Sequence, residues 1–150
     1  MKITIIFPGR SLETARVTGA VMPLAPTLLA ALTPDDHAVS LVDMFLGNTV
    51  DYESDADLVA ITVRTPLAPI AYEIADNFLK RGKPVILGGP HIFAFPQEAK
   101  RHATSVAIGE GEDLWPKRYA IWGKLIAEQP HQIAYSIIDS KVVGNFLSPV

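Results

Sequence analysis

The chain has 150 residues, with 13 basic and 16 acidic side chains, a net charge of −3 and no cysteine. This length suits one domain with a sizeable core. The lack of cysteine excludes disulfides, thiolate metal sites and cysteine nucleophiles within these residues. No basic run occurs, which argues against nucleic acid as a partner. No apolar run is long enough to span a membrane, and Met1-Lys2 leads directly into a strand-like run. We therefore expect a cytoplasmic protein without a signal peptide.

Strands and helices alternate along the chain, as judged from apolar runs and their periodicity. In the first half the predicted elements are, in chain order, a strand over 2–7, a long loop over 9–22, a helix over 23–32, a strand over 38–42 and an acidic loop over 44–57. The carboxylates of that last loop lack the spacing of a calcium-binding loop, so a solvated surface is expected there.

The second half continues the alternation and ends in a weaker pattern. The predicted elements are a strand over 58–63, a helix over 67–80, a strand over 84–87, a short helix over 93–101 that starts near Pro96, a strand over 105–108, a helix over 113–128 and a hairpin within 131–150. The helix over 67–80 has the clearest signal, because its apolar residues recur at helical spacing on one face. The alternation predicts a doubly wound α/β fold with a five-stranded parallel sheet in the flavodoxin-like order 2-1-3-4-5.

Glycine-rich turns follow two of the predicted strands. Gly88-Gly89-Pro90-His91 follows the fourth strand, and Gly109-Glu110-Gly111-Glu112 follows the fifth, while Arg64-Thr65-Pro66 follows the third. The carboxyl ends of parallel strands meet at one edge of a sheet, where ligands bind. Adjacent glycines let another group approach the backbone closely. Either glycine pair alone would indicate a tight turn, but two pairs at one edge favour a binding site.

Several common sites are excluded because their motifs are missing. The first strand is followed by neither G-x-G-x-x-G nor a phosphate-binding G-x-x-x-x-G-K-[ST] loop. Phe7-Pro8-Gly9 stands where a phospho-acceptor receiver would carry acids, and Gly9-Arg10-Ser11 is a poor match to a flavodoxin phosphate loop. No two histidines have the spacing of metal ligands, and no G-x-S-x-G elbow occurs. We therefore assign no catalytic residue to this chain.

Four stretches of the chain resemble the cobalamin (B12)-binding domain found at the N-terminus of many B12-dependent radical SAM proteins. They are PLAPTLLAALTPDDHAVSLVD (23–43), DLVAITVRTPLAPIAYEIAD (57–76), RGKPVILGGPHIFAFPQEAKRHA (81–103) and IGEGEDLWP (108–116). The resemblance covers roughly residues 1–128, and the GGPH and GEGE turns with the spacing between them are its most specific part. It implies that residues 1–130 form a cobalamin-binding domain, followed by the tail over 131–150.

The resemblance also implies where the cofactor would bind. The dimethylbenzimidazole tail of cobalamin would insert at the carboxyl edge of the sheet, and the corrin ring would lie across the loops there. The implied cofactor-binding residues are Thr62, Val63, Arg64, Thr65, Gly88, Gly89, His91, Gly109, Glu110 and Gly111. A radical SAM domain or a methyltransferase, in the same chain or in a separate one, is the implied partner.

This sequence departs from the family pattern at several points. The D-x-H-x-x-G motif is missing after the first strand, so no histidine is assigned to cobalt and base-off binding without a histidine ligand is implied. His91 is expected to pack in its loop or to hydrogen-bond near the tail. Arg64, which is unusual for the family, is expected either to approach the corrin or to point to solvent. The C-x-x-x-C-x-x-C cluster motif of radical SAM domains does not occur in these residues.

The expected function is thus a corrinoid carrier or binding module for a radical SAM or methyltransfer system. Two alternatives remain open at this point. One is a module for a different small ligand, of the nucleotide or coenzyme A type, or an interaction domain with an empty rim, since this fold class serves many functions. The other is a degenerate B12 domain that no longer binds its cofactor.

Overall fold

The computed structural model describes residues 1–10, 23–111 and 114–116. Its centre is a five-stranded parallel sheet with the strand order β2-β1-β3-β4-β5. The strands are β1 (Lys2–Phe7), β2 (Ala38–Asp43), β3 (Leu58–Thr62), β4 (Val85–Gly88) and β5 (Ser105–Val106). The predicted flavodoxin-like α/β fold and its strand order are confirmed.

Helices connect the strands and cover both faces of the sheet. The α-helices of the described residues are α1 (Leu24–Ala31), α2 (Ala68–Lys80), α3 (Pro90–Ala94) and α4 (Pro96–Ala99). Short 3-10 turns occupy Met44–Leu46, Thr65–Leu67 and Lys100–His102. None of the helices in the described ranges is long and apolar enough to cross a membrane.

The connection between β4 and β5 differs from its prediction. Instead of one helix that starts near Pro96, two short helices are present, and the first already begins at Pro90. Proline is well tolerated at the first position of a helix, because the amide there has no helical partner. Phe95, with φ at −130° and ψ at 56°, lies outside the helical region and separates the two helices. The GGPH segment is therefore a turn that opens directly into a helix.

Other predicted elements are shortened or lie outside the described residues. The fifth strand is two residues long, Ser105–Val106, rather than the predicted four. The predicted loop over 9–22 is described only at its first two residues. The predicted helix over 113–128 is described only at residues 114–116, which are helical, and the predicted hairpin over 131–150 lies entirely outside the described residues.

The two faces of the sheet are packed differently. Because side chains alternate along a strand, Val59 and Ile61 of β3 point toward α2, whereas Ala60 points toward α1. Helix α2 buries a full apolar stripe against its face of the sheet, consisting of Ala71, Ile74, Ala75 and Phe78. Helix α1 buries only Pro26 among its eight residues. The α1 face of the sheet is thus the less filled one.

Gly89 lets the chain cross very close to the end of β3. The amide of Val63 donates to the carbonyl of Gly88 at 2.7 Å, and the amide of His91 donates to the carbonyl of Val63 at 3.1 Å. Gly89 lies between these two bonds with φ at +105°, and a Cβ built on it would stand 2.9 Å from both N and O of Val63. A side chain at this position would therefore clash with backbone.

We expect Gly89→Ala to destabilise the protein more than Gly82→Ala does. Gly82 also has a positive φ, +71°, but a Cβ there meets nothing within 4 Å. Gly82→Ala then costs only the free energy of holding an alanine at a positive φ, about 1–2 kcal/mol. Gly89→Ala adds the clash with Val63, which raises the loss by at least about 1 kcal/mol. Urea unfolding of both variants measures the difference, and equal losses would contradict the proposed contact.

Candidate functional site

A cavity of about 560 Å³ lies at the carboxyl edge of the sheet, between α1 and the ends of β3, β4 and β5. This volume is within the range of about 300–1,000 Å³ that is usual for small-molecule sites. Its lining residues are Leu24, Ala25, Leu28, Leu29, Ala60, Ile61, Thr62, Ile86, Gly88, Gly89, Pro90, Phe93, Ala107, Gly109, Glu110, Gly111, Leu114 and Trp115. The position is the one where open parallel sheets bind ligands.

Small residues on the α1 face of the sheet form the floor of this cavity. Strand alternation places Ala60 and Thr62 of β3 on that face, and Gly88 of β4 pairs with Thr62 beside them. A Cβ at Gly88 would make only an ordinary contact, 3.5 Å from the Cβ of Ala107. Ile86 of β4, which pairs with Ala60 and also lines the cavity, adds a larger side chain to this floor, so the floor is deepest at the small residues beside it.

Apolar side chains from three separate segments form the walls. Leu24 of α1 and Phe93 of α3 are 68% and 69% exposed, respectively, although both line the cavity. Trp115 is buried, and its Nε1 donates a hydrogen bond to Oγ1 of Thr33 at 2.8 Å. This bond fixes the indole ring against the end of α1. The cavity thus has one rigid aromatic wall and two apolar residues open to a ligand.

The cavity carries almost no charge. Among its lining residues that the structure describes, Glu110 is the only ionisable one, and its side chain is exposed. Within the described ranges, no group of three or more histidine, aspartate or glutamate residues could hold a metal ion. An apolar site without a cation favours an uncharged ligand group, because an unpaired charge is costly to bury.

The structure brings six of the ten sequence-predicted site residues to this cavity. They are Thr62, Gly88, Gly89, Gly109, Glu110 and Gly111. The other four are not among its lining residues, namely Val63, Arg64, Thr65 and His91. Gly89 lines the cavity with its backbone, but the space where its side chain would stand is already occupied by Val63. Its bare backbone is thus required within the protein, whether or not a ligand binds.

Sequence reasoning missed the apolar walls. Leu24, Leu28, Phe93 and Trp115 lie in three segments that are distant in the sequence. The apolar character of 23–32 and the aromatic residues after each glycine turn were the available signals. Neither signal tells a core position from a ligand-facing one, because both call for the same side chains.

His91 is placed on the α2 side of the sheet, away from the cavity. Its side chain is buried, with Nδ1 3.3 Å from Oγ1 of Thr65 and the ring centre 4.9 Å from that of Phe95. Its Nε2 lies 3.6 Å from a carboxylate oxygen of Glu98, beyond ordinary hydrogen-bond distance. The ring of Tyr72 is 5.9 Å away. His91 therefore ties the turn after β4 to the segment after β3.

Tyr72 links this cluster to a second histidine. Its ring stacks on His102 at 4.4 Å between centres, and Nδ1 of His102 hydrogen-bonds the carboxylate of Asp76 at 2.9 Å. Burial, together with the nearby carboxylate of Glu98, raises the pKa of Tyr72 to about 12. These contacts pack the segment from α3 to the turn over 100–102 against α2, and they hold several titratable groups, whereas the described lining of the cavity has only Glu110.

The chain is similar to two methyltransferases of Chlorobaculum tepidum. Bacteriochlorophyllide d C-8(2)-methyltransferase is 48% identical over 92 residues, which are 61% of this chain and 20% of that protein. Bacteriochlorophyllide d C-12(1)-methyltransferase is 41% identical over 100 residues, which are 65% of this chain and 22% of that protein. The chain thus spans about a fifth of the length of the curated relatives it matches. No protein-family model matches it.

The raised pKa of Tyr72 predicts a stability change at high pH. Unfolding returns the pKa to about 10, so the unfolded chain loses this proton first as pH rises. The contribution of protonated Tyr72 to the free energy of unfolding is complete below pH 10 and is lost between about pH 10 and 12. Tyr72→Phe should remove this part of the decline in the free energy of unfolding. Urea unfolding from pH 9 to 12 tests this, and parallel curves for the two proteins would contradict it.

Proposed function

We propose that this chain is a cobalamin-binding module that serves a methyltransfer system. The observation that carries the proposal is the cavity at the carboxyl edge, with its floor of small residues and its uncharged lining. The similarity to part of two methyltransferases supports the methyltransfer context. In this proposal the dimethylbenzimidazole base of the nucleotide tail occupies the cavity.

The lining residues suit such a base. Ala60 and Gly88 leave space for a flat ring system on the floor, and Phe93 and Trp115 offer apolar and aromatic walls. Thr62 supplies a hydroxyl that can accept or donate a hydrogen bond at the edge of the ring. Burying an aromatic heterocycle here gains hydrophobic free energy and leaves no charge unpaired.

The cobalt ion would remain outside the cavity, above the loops at the sheet edge. When bound, the corrin would supply a cobalt atom able to carry a methyl group, while the protein would bind and position the cofactor. We propose binding in the base-off form without a histidine ligand. His91 supports this, because its side chain is buried between Thr65, Phe95 and Tyr72 on the other side of the sheet.

The other ligand classes are less well supported. Coenzyme A and nucleoside di- and triphosphates carry several phosphates, a mononucleotide carries a doubly charged one, and the described lining of the cavity offers no basic side chain to them. The partner is proposed to be a radical SAM domain or a methyltransferase, within the same polypeptide or separate. The length of the two relatives, about five times the matched segment, is in line with further domains in those proteins.

The proposed function is tested by adding hydroxocobalamin to the purified protein and removing the unbound cofactor on a desalting column. We expect a coloured protein whose visible spectrum differs from that of free hydroxocobalamin, as base-off binding requires. A colourless protein without a spectral change would contradict the proposal and would favour a degenerate domain.

Gly88→Val should weaken this binding. The added side chain would extend from the floor into the cavity, and its Cβ would be tolerated beside Ala107. Overpacking of this size costs about 1–3 kcal/mol, which corresponds to a loss of affinity of roughly fivefold to 150-fold. The matched control is Ala38→Val, which enlarges an exposed residue on β2 far from the cavity lining. Equal affinities of the two variants, measured by spectral titration, would place the ligand elsewhere.

A further inference from the structure

Arg64 has a buried charged donor without a partner. Its Nη1 atom is shielded from solvent and makes no hydrogen bond. A guanidinium group remains protonated at every physiological pH, and a buried donor left unpaired costs free energy that a partner would restore. None of the ion pairs between described residues includes Arg64. Such a donor indicates an acceptor that is not part of the described chain.

The surroundings of Arg64 favour an anion as that acceptor. Arg64 is the only charged residue between Leu58 and Tyr72. It directly precedes the turn Thr65–Leu67 and α2, whose first turn has no acidic residue. No nearby carboxylate in sequence therefore offsets its charge. A guanidinium with open donors is well suited to the paired oxygens of a carboxylate or a phosphate.

Arg64 lies at the same edge of the sheet as the cavity. Arg64 follows Thr62, a residue of the cavity floor, by two positions, and so lies at the same carboxyl edge of the sheet. The cavity itself holds no cation among its described lining residues, so it can accept the base of a nucleotide tail but not a phosphate. A ligand with an apolar base and one negative charge would leave that charge at the edge, outside the cavity.

We infer that Arg64 binds the phosphodiester of the cobalamin nucleotide tail. This inference rests on the proposed function and adds to it the residue that binds the single negative charge of the tail. Arg64 then has a binding role toward the tail rather than toward the corrin or the cobalt. Arg64 as a whole is only half-buried, so a change of its side-chain rotamer would bring Nη1 out of its shielded position to donate to a phosphate oxygen, which supplies the missing acceptor.

The experiment compares two ligands on the full chain. Cobalamin contains the phosphodiester, whereas dicyanocobinamide has the corrin but lacks the nucleotide and its phosphate. We expect Arg64→Gln to weaken cobalamin binding by about tenfold or more, as loss of a charge-assisted hydrogen bond would, and to leave cobinamide binding unchanged. Arg64→Lys should restore part of the affinity, because it keeps the charge but not the planar fork. Arg101→Gln, which removes an exposed charge before β5, should have no effect.

Salt dependence gives a second readout that needs cobalamin only. Binding of wild-type protein should weaken with added salt, and Arg64→Gln should reduce that dependence. Equal losses for cobalamin and cobinamide would instead assign Arg64 to the corrin and overturn the inference. An unchanged affinity and an unchanged salt dependence in Arg64→Gln would also overturn it.

Two controls distinguish phosphate binding by Arg64 from a structural role of its side chain and from a protein that binds no cobalamin. A structural role for Arg64 would make Arg64→Gln less stable without ligand, whereas an unpaired donor predicts an equal or higher stability in urea unfolding. Wild-type protein that fails to bind cobalamin would contradict the proposed function itself. Wild-type binding with an unaffected Arg64→Gln variant would contradict only the role of Arg64.

Discussion

The close backbone contact between Gly89 and Val63 is the constraint on which the rest of the site depends. Two hydrogen bonds, from the amide of Val63 to Gly88 and from the amide of His91 to Val63, hold the chain against the end of β3. Only a residue without a side chain fits between them. The crossing directs the chain into α3 at once, and α3 places Phe93 over the cavity. The turn therefore shapes the site by its path and not by any side chain of its own.

The sheet separates two environments at this edge. On the α2 side, Tyr72, His102 and Asp76 form a partly exposed polar cluster at the edge of an apolar core. On the α1 side, the cavity is lined by apolar residues and backbone, with the exposed Glu110 as its only described ionisable residue. Arg64 lies at the end of the strand that divides the two and is not paired with either. This arrangement matches a ligand with an uncharged ring and a single charge close to it.

Much of the fold could be predicted from the sequence, because strands buried on both faces are continuous apolar runs such as 58–63. The two glycine turns likewise predicted the correct edge for a cavity, since parallel strands end together. The side of the sheet to which the His91 side chain points could not be predicted. It depends on α3 beginning at Pro90, directly after the close approach of Gly89 to Val63. The walls formed by Leu24 and Trp115 could not be predicted either, because only the tertiary structure brings these segments together.

The unequal packing of the two sheet faces has an evolutionary consequence. Helix α2 buries the stripe that includes Phe78 and so contributes to the stability of the fold, whereas α1 buries little and lines the cavity. Substitutions at Leu24 or Leu28 can therefore alter the shape of the cavity at a small cost in folding, while substitutions at Phe78 cannot. The shape of the cavity and the stability of the fold therefore depend on different helices, so one can change while the other is retained.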